Sequence, residues 1–184
     1  MIEKYKILGV DPGTNVLGYG LLEVDKKTCT MITMGVINLK KFDTHQIKLK
    51  EIYLQLQEII ETYLPKVLAI EAPFYGKNVQ SMLKLGRAQG VSMAAAITMG
   101  LEIMEYAPKE IKKSITGNGN ASKEQVAAML KSILKIKTNH PLDATDALGA
   151  AYTYYNQSNS PFASKKKYSG WDSFLKDNPK KMAK

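Results

Sequence analysis

Four acidic side chains of this chain, Asp11, Glu71, Asp143 and Asp146, occupy positions where carboxylates could hold metal ions. Asp11 and Glu71 each end a short apolar run, the pattern of a buried strand that delivers a side chain to the edge of a sheet. Asp143 and Asp146 lie three residues apart, a spacing that makes them neighbours on one helix face. Because the candidate ligands are hard carboxylate oxygens, without cysteine or paired histidines, the pattern favours Mg²⁺ or Mn²⁺ over zinc.

Each acid also has an ordinary structural explanation. Asp11 begins an Asp-Pro-Gly turn, where its side chain can bond to nearby amides. Glu71 can face water at a strand end, and Asp143 suits the first turn of a helix. Asp146 lies beyond that turn among small apolar residues, where a structural role is harder to find. Two carboxylates about 4 Å apart repel by roughly 4 kcal/mol at an effective dielectric constant near 20, so a cluster requires compensating cations.

Two divalent ions would balance the four carboxylates, and the fitting chemistry is hydrolysis of a phosphodiester bond. One ion would activate the attacking water while the other stabilises the leaving 3′ oxygen, with the ions about 3.5–4 Å apart. The products would carry 5′-phosphate and 3′-hydroxyl ends. No covalent enzyme intermediate is expected.

The overall charge indicates an anionic partner. The 184 residues include 26 Lys and Arg against 17 Asp and Glu, giving a net charge of +9. Basic side chains that neutralise phosphates release condensed counterions and supply affinity for nucleic acid of any sequence. Residues 158–184 carry five of these net positive charges. This tail fits either a nucleic-acid arm or a solvated terminus, and Trp171 and Phe174 also suit a short docking segment.

Length and composition favour one domain and no membrane segment. With 45% hydrophobic and 23% charged residues, we predict a nuclease domain over residues 1–157 and a basic, partly disordered tail over residues 158–184. The most apolar stretch, residues 90–104, is shorter than the ~20 residues that span a bilayer. The single cysteine, Cys29, and the lack of a secretion signal predict a cytoplasmic protein.

The apolar pattern predicts the elements that position the acids. Runs rich in aliphatic and β-branched residues predict five strands, at residues 5–10, 17–24, 30–39, 67–70 and 101–106. Helical periodicity predicts two long helices, at residues 45–64 and 78–99. The first three strands are expected to form an antiparallel meander. The fourth, short and wholly apolar, is expected to lie beside the first as a buried parallel strand.

Three further helices are predicted in the last third of the chain. A short one begins at Pro108 and ends at the turn 117–120, whose two glycines favour an exposed loop. The next begins at Ser122, which forms a capping box with Gln125, and runs to residue 136. The last begins at Pro141 and reaches about residue 155. The fold class is therefore α/β, with a sheet flanked by helices.

Several motifs follow one another in a familiar order. They are Asp11-Pro12-Gly13-Thr14 with Gly18-Tyr19-Gly20, Ala69-Ile70-Glu71, Leu83-Lys84-Leu85-Gly86 and Asp143-Ala144-Thr145-Asp146-Ala147-Leu148. From about residue 7 to residue 154 the chain resembles the RuvC family of Holliday-junction resolvases. The resemblance implies a ribonuclease H-like mixed five-stranded sheet flanked by helices.

The resemblance also implies the activity. Asp11, Glu71, Asp143 and Asp146 take the places of the family's catalytic, metal-binding acids, with two Mg²⁺ ions per active site and Mn²⁺ as a substitute. The implied enzyme is a homodimer that resolves four-way DNA junctions in recombination and repair. It nicks strands of like polarity in symmetric pairs and works with branch-migration proteins of the RuvA and RuvB type.

By the same resemblance, several residues are expected to contact DNA. Phe74 would stack on an unpaired base, a role that Tyr75 could share. The implied basic contacts are Lys77, Arg87, Lys112 and Lys123. His140, three residues before Asp143, is expected to be a helix cap or a neighbour of the metal ligands and not itself a ligand.

Gly86, Gly90 and Ala94 lie four residues apart on one face of a predicted helix, which would let another helix approach closely. The resemblance implies a homodimer built on this helix, while packing within the same chain explains the stripe equally well. A dimer would match the two-fold symmetry of a four-way junction.

Other interpretations stay open at this point. An actin-like or sugar-kinase ATPase also begins with an aspartate, glycine and threonine loop after its first strand, but it needs two such domains and a second phosphate loop. A junction-binding module without cleavage would keep the fold and the basic surface. A ribonuclease H-like nuclease could also act on another nucleic acid, because a fold alone does not specify a substrate.

Overall fold

A computed structural model describes residues 4–73, 78–137 and 140–159. In chain order, the elements are β1 (Tyr5–Asp11), β2 (Val16–Asp25), β3 (Thr28–Asn38), α1 (His45–Tyr63), β4 (Val67–Glu71), α2 (Val79–Thr98), β5 (Glu102–Tyr106), α3 (Pro108–Thr116), α4 (Lys123–Leu134) and α5 (Leu142–Ser158). The expected DNA contacts Phe74, Tyr75 and Lys77, and the tail from residue 160 onward, lie outside the described residues.

The strands form one mixed sheet in the order β3-β2-β1-β4-β5. The first three strands pair antiparallel, and β4 and β5 join parallel to β1. The predicted meander and the predicted parallel neighbour of β1 are both confirmed. Because β1, β4 and β5 run in one direction, their carboxyl ends meet at the same edge of the sheet.

Helices cover both faces of the sheet. Successive residues of a strand point to opposite faces, so Ile7 of β1 joins a core with α3, α4 and α5, whereas Leu8 joins a core with α1 and α2. Both side chains are fully buried, and each contributes about 1.5–3 kcal/mol of transfer free energy. The apolar residues 67–70 of β4 are buried on both faces of the sheet, as their sequence predicted.

Local chemistry determines where the helices begin and end. The Ser122 hydroxyl accepts a hydrogen bond from the Gln125 amide, and the Gln125 side chain accepts one from the Ser122 amide, which confirms the predicted capping box. Helix α4 ends at Leu134, two residues before the predicted end, because Lys135 adopts a left-handed conformation with φ 53°. Helix α5 continues past residue 155 to Ser158.

Helix α5 lies directly against the backbone of β1 and β2. A β-carbon on Gly9 would stand 2.0 Å from the carbonyl oxygen of Ala147, and one on Gly18 would stand 2.0 Å from that of Asp143. Only glycine permits this approach. The missing side chains therefore let α5 bring its acidic first turns to the sheet edge where β1 and β4 end.

In the part of the chain that the structure describes, we find no helix with the length and apolar character needed to cross a membrane.

Candidate nuclease site

The acids come together at the carboxyl edge of the sheet. Val10 and Ile70 are paired neighbours on β1 and β4, so the residues that follow them, Asp11 and Glu71, lie side by side. Helix α5 adds Asp143, whose backbone touches Gly18 opposite Asp11, and Asp146 one turn further on. Elements separated by up to 135 residues of sequence thus deliver carboxylates to one edge.

The electrostatics of the acids reflect burial and mutual repulsion. Burial, followed by the charges of Glu71 and Asp146, raises the pKa of Asp11 to about 8. Burial, followed by the charge of Asp146, raises the pKa of Glu71 to about 7. Carboxylates whose charges raise the pKa of a neighbouring carboxyl lie in a site short of positive charge.

Lys123 provides part of that charge. Its ammonium donates a hydrogen bond to the Asp146 carboxylate, whose side chain is only 10% exposed. Burial lowers the pKa of Lys123, but this hydrogen bond and the charges of Asp146, Asp11 and Glu71 together raise it above its ordinary value. Lys123 therefore stays protonated beside the carboxylates at neutral pH.

The oxygen ligands of the site suit a divalent ion, although they do not yet enclose one. Within residues 4–73, 78–137 and 140–159, no three His, Cys, Asp or Glu side chains are already close enough together to enclose a metal. The donor set nevertheless fits, because the oxygens are hard ligands and the repulsion among Asp11, Glu71 and Asp146 exceeds what one lysine balances. A divalent cation at this edge would relieve it.

Two cavities adjoin the acids. A small one of about 90 Å³ lies between Asp11, Glu71 and Gln89 of α2. A larger cleft of about 560 Å³ opens beside Glu71 and Asp146 and is walled by α3 and α4. Glu71 and Asp146 thus lie at the border of a cleft whose volume is typical of a small-ligand site.

Sequence reasoning missed Gln89 as a site residue. Gln89 is buried and donates a 2.8 Å hydrogen bond to the carboxylate of Glu105, at the end of β5. The bond links helix α2 to the edge of the sheet where the acids lie. Its only sequence signal is a polar residue beside Ala88 on a helix face of mostly small residues, and this signal is weak without the fold.

The expected basic contacts lie at different distances from the acids. Lys112 lines the 560 Å³ cleft, and its charge helps to hold down the pKa of Glu71. Lys123 touches Asp146 directly. Arg87 instead acts on His45 at the start of α1, because burial and then the charge of Arg87 lower the pKa of that imidazole. The structure therefore brings Lys112 and Lys123, but not Arg87, to the carboxylates.

His140 is not the cap of α5. Pro141 occupies the N-cap position, and no side-chain cap hydrogen bond forms there among the described residues. Of the two roles expected for His140, the structure therefore excludes the N-cap of α5, and the other, a neighbour of the metal ligands, stays a prediction.

The fold and the site together define a class: ribonuclease H-like nucleases with acids at the carboxyl edge of a mixed sheet. Comparison with known proteins is more specific. The family model described as "Crossover junction endodeoxyribonuclease RuvC" matches residues 7–154. The chain belongs to the RuvC family, and divalent metal use is general in that family.

Individual relatives agree with this family. The protein named crossover junction endodeoxyribonuclease RuvC from Cytophaga hutchinsonii is 56% identical over 177 residues, covering 96% of this chain and 87% of that protein. The protein of the same name from Bacteroides fragilis is 55% identical over 179 residues, covering 96% and 95%. Thermus thermophilus RuvC, solved in complex with Holliday junction substrate, has a TM-score of 0.75 at 28% identity and covers 81% of this chain and 92% of that one.

Proposed function

We propose that this chain is a crossover junction endodeoxyribonuclease that resolves four-way DNA junctions by metal-dependent hydrolysis of phosphodiester bonds. The observation that carries the proposal is the meeting of Asp11, Glu71, Asp146 and Lys123 at the carboxyl edge of the sheet. These residues adjoin an open cleft in a chain of the RuvC family. The proposed products are paired, symmetric nicks with 5′-phosphate and 3′-hydroxyl ends.

The proposed ligands are Asp11, Glu71, Asp143 and Asp146, holding two Mg²⁺ ions, with Mn²⁺ as a substitute. Bound divalent ions would supply an activated water and charge stabilisation for the leaving oxygen. The protein's own part is positional. β1, β4 and α5 hold the carboxylates at one edge, and Lys123 and Lys112 supply fixed positive charge where the scissile phosphate would enter.

The proposed substrate is the four-way junction, the ligand with which Thermus thermophilus RuvC was solved. Phe74, Tyr75 and Lys77 follow in the chain directly after the loop residue Pro73, which lines the small cavity beside Asp11. That position supports their proposed contact with DNA, with Phe74 or Tyr75 stacking on an unpaired base. Arg87 is proposed to contact a junction arm farther from the acids.

The proposed homodimer rests on the open face of α2. A β-carbon on Gly86 or Gly90 would meet nothing within 4 Å among the described residues, so this stripe is not packed against the described part of its own chain. Val79, Leu83 and Ile97 lie on the same helix, and each residue is 51–65% exposed. Glycines that admit a close neighbour, together with exposed aliphatic side chains, support a second copy docking here.

Two further proposals concern the partners and the tail. The end of α5 at Ser158 supports a domain boundary near residue 157, with the basic tail over residues 158–184 as a separate segment. Branch-migration proteins of the RuvA and RuvB type are proposed partners, because the product of their action is the substrate proposed here. Co-purification of these partner proteins with chains of residues 1–184 and 1–157 would test both proposals, because it shows whether they bind and whether the tail is needed.

The decisive experiment uses a junction with immobile arms and a short mobile centre, a matching linear duplex, and Mg²⁺ or EDTA. We expect symmetric nicks in the junction with Mg²⁺, and none in EDTA. The variant Asp11→Asn should lose cleavage yet bind the junction, because it removes a ligand and leaves the basic surface intact. Tight binding without cleavage would favour a binding module. Equal cutting of the duplex, or of an RNA included for comparison, would favour a nuclease for another nucleic acid.

A further inference from the structure

The cleft of about 560 Å³ beside the acids has a chemistry of its own, and we call it the α3–α4 cleft. Helices α3 and α4 supply most of its lining, including Pro108, Ile111, Lys112, Asn120, Lys123 and Val126. Glu71 and Asp146 border it on the catalytic side. Its volume lies within the roughly 300–1,000 Å³ typical of sites that enclose a small organic group.

The walls of the cleft are apolar and its rim is basic. Pro108, Ile111 and Val126 line it between α3 and α4, and the last two are anchored in the core with 3% exposure each. Lys109, Lys112 and Lys123 supply positive charge around these walls. Apolar walls suit the flat face of a base, and lysines suit the phosphates on either side of it.

Asn120 adds a polar side chain that no other described residue engages. Its backbone amide donates to the Asn118 side chain, which fixes the turn, but its own side-chain amide has no hydrogen-bond partner among the described residues. Such an amide presents a donor beside an acceptor. That pattern can pair with the edge of a base and discriminate between bases.

We propose that the α3–α4 cleft seats the nucleoside next to the scissile phosphate and that Asn120 reads the edge of its base. The assignment rests on the proposed function, since the carboxylates at one end of the cleft define where the phosphate is cut. The positive lysines at the rim of the cleft complement the phosphates of a nucleic acid, which supports a nucleoside as the occupant. The lysines would hold the backbone while the base lies between Pro108 and Val126, so Asn120 determines part of the preference for cleavage sites.

The first test measures the distribution of cuts and not the total rate. Junctions carrying each of the four bases at the two positions flanking the cut are mixed and cleaved by the wild type, Asn120→Ala and Asn120→Ser. We expect the wild-type preference at one position to fall by roughly fivefold or more in both variants. Gln57→Ala, on α1 across the sheet, should retain it. An unchanged preference in both Asn120 variants would overturn the assignment.

The second test needs no cleavage. Full-length Asp11→Asn is bound to a junction with 4-thiothymidine at a position flanking the cut, irradiated and digested, and the linked peptide is identified. We expect cross-links within residues 107–126. Ala107→Trp, which fills the cleft, should reduce them severalfold, while Ala128→Trp, on another face of α4, should not.

The outcomes of the two tests separate the two proposals. Cross-links confined to other segments would overturn the nucleoside seat even if the wild type cuts junctions. Cross-links inside the cleft from a wild type that cuts nothing would support the seat and contradict the nuclease function.

Discussion

The Lys123 ammonium donates a hydrogen bond to the Asp146 carboxylate, joining the first residue of α4 to the second turn of α5. The bond places a positive charge at a site where Asp11, Glu71 and Asp146 repel one another. The lysine thus neutralises part of the charge that a divalent ion would otherwise balance. It also links the helix that walls the cleft to the helix that carries two of the acids.

Replacing Lys123 by methionine is therefore expected to tighten binding of divalent ions. Without the ammonium, the carboxylates attract Mn²⁺ more strongly, and we expect a dissociation constant lower by roughly threefold to tenfold, a modest range because Lys123 is partly exposed. Isothermal titration with Mn²⁺ in the absence of DNA measures it. Lys112→Met is the control and should change the constant less, because Lys112 makes no ion pair of 4.0 Å or less among the described residues. Weaker Mn²⁺ binding by Lys123→Met would contradict this account.

The acids should also make stability depend on pH when no metal is present. The pKa of Asp11 is raised from 3.8 to about 8 and that of Glu71 from 4.5 to about 7, in both cases mainly by burial. Between these ordinary and raised values the folded chain holds protons that the unfolded chain has lost. The free energy of unfolding should therefore fall as pH rises from about 4 to about 8.

Asp11→Asn tests this pH dependence in EDTA. The variant should be more stable than the wild type at pH 8, by about 1–3 kcal/mol, and should have a flatter profile. Thermal denaturation across the pH range provides the comparison, with Asp25→Asn at the exposed end of β2 as the control that keeps the wild-type slope. A wild-type profile that rises between pH 4 and 8, or one that the Asp11 variant leaves unchanged, would refute it.

Much of the fold was predictable because local pattern and tertiary contact agree. The run that ends at Asp11 and the wholly apolar run that ends at Glu71 were predicted as neighbouring parallel strands, and the structure pairs them. The capping box of Ser122 was predicted from spacing alone. In each case the residues that determine the element lie within a few positions of one another.

The rest depends on contacts between distant residues. The Lys123–Asp146 bond spans 23 positions and the Gln89–Glu105 bond spans 16. Gly18 resembles any flexible residue in a strand until α5 is placed 2.0 Å from where its side chain would be. No periodicity or turn signal encodes such distances, since they arise only when the helices dock on the sheet.

Gly18→Ala should disrupt the position of α5. The added β-carbon would overlap the Asp143 carbonyl oxygen at 2.0 Å, and backbone on both sides leaves little room for relief. We expect a loss of about 2–3 kcal/mol, seen as a melting temperature lower by roughly 4–12 °C, together with weaker Mn²⁺ binding. Ser132→Ala is the control and should keep the wild-type melting temperature, because Ser132 is exposed on α4 and alanine favours a helix. Equal stability of Gly18→Ala and wild type would show that α5 is not held as described.

Leu83→Glu tests the open face of α2. Leu83 is 51% exposed on the helix that carries Gly86 and Gly90, so a buried charge there should prevent a second copy from docking. Light scattering should give twice the chain mass of 20.4 kDa for the wild type and a single chain mass for the variant. Met129→Glu, on α4 across the sheet and 41% exposed, should remain dimeric.

The Leu83→Glu variant also distinguishes paired cutting by the dimer from hydrolysis at a single active site. A monomer keeps the carboxylates of one active site, because Asp11, Glu71, Asp143 and Asp146 all come from one chain. It should therefore still nick, but the fraction of junctions cut in both strands before release, measured by ligation of the products, should fall severalfold. A monomeric wild type would contradict the proposed dimer on α2. Paired cutting by monomeric Leu83→Glu would show that this dimer is not needed for paired cuts.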